Sequence, residues 1–416
     1  MAERPRRILL VAYFYPPCRD TGVLRAAAMA KWLRRLGHEV TVLTTSAYGD
    51  GPQDASEDVV RTADAQRWRA RLAGRDSIGA LFDSPTYSGR PHPLSKVLVP
   101  EALVAAWMPF ARSAALRLQR ERRFDCVITT SPPESAHAVG YALRRRGVPW
   151  LADVRDAWTF ESLRPEFPLA WQRGLDARLE RRWLGAADAV VCVSGPAADD
   201  LRARGIADPL LVPNGWDPEA APEPGAATGL LDPERASIVY TGSFGTPGRD
   251  PRPLVAALGE LARSVPDAAA KLELVIAGPL TAEEAELFAT DVAPARIVHA
   301  GSLDRPAALA LQREADALLL IAQPIRSQLL NIKLFEYLAA ERPLLALAAG
   351  TEAGRVIEAV GGEAVRADDP EAIAAALARA AGGGLATPRA GALAEYTYPA
   401  PAEGLAAAVE LAIAAG

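Results

Sequence analysis

The stretch Gln323-Pro324-Ile325-Arg326-Ser327-Gln328-Leu329-Leu330-Asn331-Ile332-Lys333-Leu334-Phe335-Glu336-Tyr337-Leu338-Ala339-Ala340-Glu341-Arg342-Pro343 decides how this chain is read. Ahead of it runs Ala317-Leu318-Leu319-Leu320-Ile321-Ala322, apolar throughout and of the length of a buried strand. Behind it, Pro343 opens a second apolar run, 344–348. Between the two lie a polar loop and a short helix on which Lys333 and Glu336, three residues apart, share a face. A strand, a loop and a helix start offer unpaired backbone amides, and such a turn holds an anion. Lys333 adds positive charge there, and Glu336, one turn on, is placed to accept hydrogen bonds from hydroxyl groups. Taken alone, the two residues equally fit a surface Lys-Glu pair on an amphipathic helix.

The same alternation extends outward in both directions. Apolar runs at 237–241, 272–277, 296–299, 317–322, 344–348 and 363–366 predict strands. Helices are predicted between and after them at 254–264, 282–290, 305–314, 331–340, 352–360 and 370–381. Toward the N-terminus, 7–12 is a strand, 13–21 a loop with Pro16-Pro17, and Gly22 stands just before a helix. On that helix Ala26, Met29, Leu33 and Leu36 share one face, and Gly37 ends it. The next strand, 39–44, completes a βαβ unit with a right-handed crossover. Ligands of such sheets bind outside the carboxyl ends of the strands, so the 13–22 loop faces a site. Further strands fall at 124–130, 149–154, 189–194 and 210–213, with a charged helix at 170–184. Only Gly22 is present of the three-glycine dinucleotide fingerprint, which argues against a nicotinamide or flavin enzyme. Residues 45–95 read as an insertion with one or two short helices, and 100–119 as an apolar helical region.

The fold class is therefore α/β, with two doubly wound domains. The first is set at 1–217, a Pro-, Ala- and Gly-rich linker at 218–236, and the second at 237–395. The closing segment, 396–416, is expected to carry an apolar helix back to the first domain. A length of 416 residues suits two or three domains, and 50% hydrophobic with 23% charged residues suits sizeable cores. A net charge of −5 and short basic clusters argue against nucleic acid as a partner. Cys18, Cys126 and Cys192 are scattered with no metal-ligand spacing, and read as small buried apolar groups in a reducing cytoplasm. No apolar run approaches the roughly 18 residues of a spanning helix. The expectation is a cytoplasmic protein, at most peripheral on the inner face of a membrane.

Several loops match one pattern together. They are Phe14-Tyr15-Pro16-Pro17 with Gly22, Leu36-Gly37-His38-Glu39-Val40-Thr41-Val42-Leu43-Thr44, and Asp153-Val154-Arg155-Asp156-Ala157-Trp158. Then follow Val212-Pro213-Asn214-Gly215-Trp216-Asp217, Tyr240-Thr241-Gly242-Ser243, and Lys333 to Ala340 before Arg342-Pro343. In these pieces the chain resembles the retaining family 4 glycosyltransferases, whose GT-B architecture sets two Rossmann-like domains around a cleft. It looks closest to bacterial members that build cell-surface polysaccharides, glycolipids or decorated natural products.

The resemblance implies a nucleoside-diphosphate sugar, UDP before other bases, as donor in the second domain, and a hydroxyl acceptor (a sugar, glycolipid or small molecule) in the first. It implies transfer of a hexosyl or N-acetylhexosaminyl group, with neither cofactor nor metal. Donor contacts would come from Gly22, Gly242, Ser243, Arg249, Gln328, Lys333 and Glu336, with Arg249 and Lys333 neutralising the diphosphate. Glu336 would hold the ribose hydroxyls. The family often has a glutamate where this chain has Gln328. The catalytic set so implied is His137, Asp156, Arg249 and Lys333.

Each residue also has a plainer reading. Gly22 fits a helix-start turn, and Asp153 and Asp156 fit an ion cluster with Arg155. His137 is a base or sugar contact, or a structural histidine. Arg252 competes with Arg249 for the clamp. Trp107 and Trp158 line an acceptor site or, more simply, a core. The arginines of 67–75, with the apolar 103–110, point to a solvated insertion or to contact with an anionic membrane. Two other functions fit the frame: a nucleotide-sugar epimerase, and a non-catalytic sugar-nucleotide-binding partner.

Overall fold

The computed structural model describes residues 4–18, 22–49, 58–72, 74–75, 77–78, 99–100, 107–160, 167, 169–223, 228–244, 249–322, 330, 332–389 and 393–416. The chain divides into two compact units, 1–213 with 399–416, and 214–398. The division thus falls at 213/214, inside the expected first domain, and the expected linker 218–236 belongs to the second unit.

In the first unit the order is β1 (Arg7–Val11), α1 (Gly22–Arg35), β2 (Glu39–Thr45), β3 (Asp58–Thr62), α2 (Ala65–Leu72), α3 (Met108–Arg122) and β4 (Cys126–Ser131). It continues with α4 (His137–Arg144), β5 (Trp150–Val154), α5 (Ala170–Leu184), β6 (Ala189–Cys192), α6 (Gly195–Ala203) and β7 (Leu210–Leu211). The strands form one parallel sheet in the order β3-β2-β1-β4-β5-β6-β7. Central strands are buried end to end because helices cover both faces; β4 is buried at all six positions. β3 lies where an insertion with short helices was expected. Its sequence DVVRT carries only two apolar residues, enough for an edge strand paired on one side. α3 starts at Met108, with Pro109 in its first turn, a position that needs no amide hydrogen.

The second unit runs β8 (Ala236–Thr241), α7 (Arg252–Ser264), α8 (Pro266–Ala270), β9 (Leu272–Ala277), α9 (Ala282–Phe288), β10 (Arg296–Gly301) and α10 (Arg305–Glu314). Then come β11 (Ala317–Ile321), α11 (Ile332–Ala339), β12 (Leu344–Leu347), α12 (Glu352–Ala359), β13 (Glu363–Val365) and α13 (Pro370–Ala381). Its parallel sheet has the order β10-β9-β8-β11-β12-β13. Helix starts are fixed by side-chain caps: Thr281 and Glu284 form a capping box on α9, and Asp304 and Asp369 accept from the third residue of α10 and α13.

The last helix, α14 (Ala400–Ala415), belongs to the first unit. It packs on α1, and Glu410 accepts from Arg6 Nε at 2.6 Å, so both chain ends share one ion pair.

In each sheet the strand order reverses direction at one place, between β1 and β4 and between β8 and β11. Crossovers leave to opposite faces there, and the carboxyl ends open a crevice. The loops at the first crevice follow β1 and β4. The second carries Gly242, just after β8, and Lys333 at the start of α11.

Candidate functional site

The second crevice is built from glycines and cations. Gly242 follows β8 with φ +117°, a conformation L side chains rarely adopt. A Cβ on Gly242 would sit 1.8 Å from Lys333 Nζ, so the lysine lies directly against this backbone. A Cβ on Gly278 would sit 2.1 Å from the Gly242 carbonyl oxygen, so the loops after β8 and β9 touch because both residues are glycine. The Lys333 ammonium stands 5.1 Å over the Tyr240 ring, which stacks on Phe244 with centroids 4.3 Å apart.

Arg249 donates from Nη1 to the Ser243 carbonyl at 3.3 Å. Burial and the neighbouring Arg249 guanidinium push the Lys333 ammonium down to about 8, partly opposed by Glu336. Two cations therefore stand side by side at a switch point, and an anion placed there relieves their repulsion. Tyr337 locks α11 to this end of β8, its hydroxyl oxygen accepting from Thr241 N at 2.8 Å. Glu336 is nearly buried, and its Oε1 lies 2.7 Å from Arg305 Nη1.

Gly242, Ser243, Arg249, Lys333 and Glu336 thus lie near one another at this crevice. Arg252 is not part of the group; on the surface it binds Asp250 through Nε and Nη2 at 2.7–2.9 Å. Gln328 lies outside the described residues. Arg305 and Tyr337 were missed by sequence reasoning. Arg305 left one faint signal, a basic residue between the cap Asp304 and Pro306 at a helix start.

The first crevice is organised around a buried ion pair. Arg25, on α1, donates Nη2 to Asp153 Oδ1 at 2.8 Å and Nε to Oδ2 at 3.1 Å. The same guanidinium reaches the Val212 and Pro213 carbonyls at 3.0 and 2.8 Å, and Thr130 Oγ1 donates to Asp153 at 2.7 Å. Burial alone would raise the Asp153 carboxyl, but Arg25 and Thr130 outweigh it and hold it below its ordinary value. Arg155 donates to the Gly22 carbonyl at 2.6 Å, so Arg155 grips the start of α1. Asp156, beside it, is half-buried.

His137 is enclosed by its surroundings. It is 0% exposed, its Nδ1 lies 2.8 Å from Thr129 Oγ1, and its ring lies along Trp158. Burial lowers the imidazole to about 4, against a smaller opposing pull from Asp153, so it is neutral at pH 7. Trp107 and Trp158 are core residues, donating Nε1 to Thr62 and Asp176 at 2.7 and 2.9 Å. The three cysteines are buried, and none is in a disulfide.

The fold is that of a two-domain α/β protein, with Lys333 and Arg249 at the strand switch point of its second unit. Residues 22–215 match the family described as Glycosyl transferase 4-like domain, and residues 235–382 the one described as Glycosyl transferases group 1. The chain is a glycosyltransferase of the GT-B type. Among solved structures it is similar to sucrose-phosphate synthase from Thermosynechococcus elongatus, with 16% identity, a TM-score of 0.65, and 99% of this chain and 100% of that one covered. It is also similar to a structure described as trehalose-6-phosphate from E. coli bound with UDP-2-fluoro glucose, with 15% identity, TM-score 0.60 and coverage of 98% and 96%. A putative UDP-N-acetylglucosamine 2-epimerase from Listeria monocytogenes follows at 15% identity, TM-score 0.58 and the same coverage. At these identities the likeness is one of fold. No curated protein matches the chain by sequence.

Proposed function

We propose that this glycosyltransferase is a retaining one, moving a hexosyl or N-acetylhexosaminyl group from a nucleoside-diphosphate sugar, UDP before other bases, to a hydroxyl acceptor. One observation carries this reading: the Lys333 ammonium pressed against Gly242 beside Arg249, at the switch point of the second unit. In transfer the bond from the anomeric carbon to the diphosphate oxygen breaks, and charge grows on the diphosphate. Lys333 and Arg249 stabilise that charge from fixed positions, the part a divalent cation plays elsewhere. Glu336, held by Arg305, accepts from the ribose hydroxyls. The acceptor lies with the first unit, where Asp156 orients its hydroxyl, and the departing phosphate oxygen takes the hydroxyl proton. His137 supports the Thr129–Trp150–Trp158 packing and is given no contact with substrate.

The test is a thermal-shift panel of UDP-, GDP- and dTDP-sugars with and without EDTA, because bound donor raises apparent stability. A shift that survives EDTA and disappears in Lys333→Ala is expected. An equal shift in Lys333→Ala overturns the diphosphate assignment. The likeness to a putative 2-epimerase gives a second reading, isomerisation of the donor itself. Proton NMR of UDP-N-acetylglucosamine incubated with the protein alone decides between the two, since an epimer formed without acceptor excludes the transferase.

A further inference from the structure

Helix α5 turns polar side chains inward along its first three turns and joins the core only at its end, through Trp183 and Leu184. An ordinary surface helix buries its apolar stripe and exposes its charges. Here Gln172, Asp176 and Glu180 are 0%, 4% and 0% exposed, while Leu169, just before the helix, Trp171 and Leu175 are 50%, 55% and 37% exposed. The inward groups are all engaged. Gln172 accepts from Leu169 N at 3.1 Å, Asp176 from Trp158 at 2.9 Å, and Glu180 from Arg204 at 2.7 Å. Both acids of α5 are thereby used inside the fold. Its outward face carries Arg173, Arg178, Arg181 and Arg182 with no acid among them. Trp171, Leu175, Arg178 and Arg182 fall at i, i+4, i+7 and i+11, one stripe of the helix.

The positive face continues onto the neighbouring helices. Arg182 lies 5.5 Å from the Tyr141 ring on α4 and donates Nε to the Tyr141 hydroxyl at 3.0 Å. Beside it a groove of about 520 Å3 is lined by Arg112 of α3, by Arg145 and Arg146 after α4, and by Met108. The asymmetry also holds for the whole chain. The first unit has 31 basic against 26 acidic residues, the second 15 against 25, although the net charge of the protein is −5.

We propose that the α5 face, with the groove at its side, docks the first unit on an anionic lipid surface. Arginines on a helix face that also presents Trp and Leu are the composition of an interfacial helix. The aromatic and leucine side chains enter the headgroup boundary while the guanidiniums meet lipid phosphates. No described helix is long and apolar enough to cross a membrane. The placement has a use. α5 begins after the carboxyl end of β5, so its exposed Trp171 stands on the side of the sheet that carries Gly22 and Asp156. On the reading of this protein as a transferase, on which this step rests, the acceptor is carried by a lipid and reaches Asp156 from the membrane surface.

The experiment is co-sedimentation of the full chain with phosphatidylcholine vesicles, with and without one-third phosphatidylglycerol. Binding to the anionic vesicles only, weakening with salt, is expected. The pairs Trp171→Ser with Leu175→Ser, and Arg178→Gln with Arg182→Gln, should each lower partitioning at least about tenfold. The arginine pair is fully outside the core, so it decides if the first pair misfolds. Absence of anionic binding, equal binding to neutral vesicles, or unchanged partitioning in the arginine pair overturns the proposal. So does a concentration-dependent dimer that these substitutions dissolve, because the face would then meet the acidic second unit of another copy. Donor-induced thermal shift measured without vesicles reports the donor site independently, and it should be retained in both pairs.

Discussion

The two crevices place charge in opposite ways. In the first unit Arg25 meets Asp153 through two hydrogen bonds, with Thr130 and two carbonyls filling the remaining positions. Opposite signs cancel, and the cluster ties α1 to β5 and to the chain after β7. In the second unit Lys333 and Arg249 carry the same sign, and the guanidinium adds to burial in making the lysine's charge less favourable. A cancelled pair is a structural joint. On the proposed reading, the donor diphosphate is what answers the like charges of Lys333 and Arg249.

If this contrast is right, breaking the two sites has different consequences. Arg25→Met leaves Asp153 charged and buried without its partner. It should cost roughly 3–5 kcal/mol of stability in urea unfolding, the range for an orphaned buried charge. Removing both partners together, as Arg25→Met with Asp153→Leu, should cost clearly less than Arg25→Met alone. An Arg25→Met protein of wild-type stability would show that the pair is not a joint.

Lys333→Met should do the reverse, leaving the fold intact while weakening donor binding. A charge-assisted hydrogen bond of about 1.5–3 kcal/mol corresponds to roughly a tenfold to hundredfold loss of affinity. The pH dependence separates the two effects. Donor needs the ammonium, so its affinity should fall as pH rises through about 8. Without donor the sign is opposite. The folded lysine releases its proton near 8 and the unfolded one near 10.5, so the unfolded chain binds more protons between these values and stability rises with pH there. Lys333→Met should lack both slopes, as titration of donor binding and of thermal stability from pH 7 to 10 would show.

The second site is more legible in the sequence than the first, for physical reasons. Buried parallel strands announce themselves as apolar runs, so Ala317–Ile321 and Leu344–Leu347 frame the loop and helix by composition alone. Lys333 and Glu336 then share a face by helix geometry. Whatever depends on residues distant in the chain is hidden. Arg25 reads as one of several arginines on α1, and nothing local says that it alone turns inward to Asp153, 128 positions on. His137 has the same difficulty: a histidine beside a crevice loop reads as a catalytic candidate, and only the surrounding Trp150 and Trp158 rings show that it is enclosed. β3 escapes notice because two valines between charged residues make no pattern. α5 is plain as a charged helix, but not which of its charges face inward, since helical spacing fixes a stripe and not its direction.

The smallest expected effect sharpens the comparison most, because it concerns a third kind of pair. Arg305 and Glu336 have opposite signs like Arg25 and Asp153, yet Arg305 is more than a third exposed and the pair adjoins the cation site. An exposed partner contributes little stability, on the order of 1 kcal/mol or less. On the proposed reading its value lies in aim: the guanidinium holds Glu336 through Oε1 in position for a ligand hydroxyl. Arg305→Gln should therefore leave the unfolding midpoint nearly unchanged. The apparent KM for donor should rise severalfold with little change in kcat, because the ribose is remote from the bond that breaks and its contact is the same in ground and transition state. Arg305→Lys, which restores a charge without the guanidinium fork, should recover part of that loss. If Arg305→Gln instead lowers stability as Arg25→Met does, the pair is a second structural joint, and Glu336 is not reserved for donor.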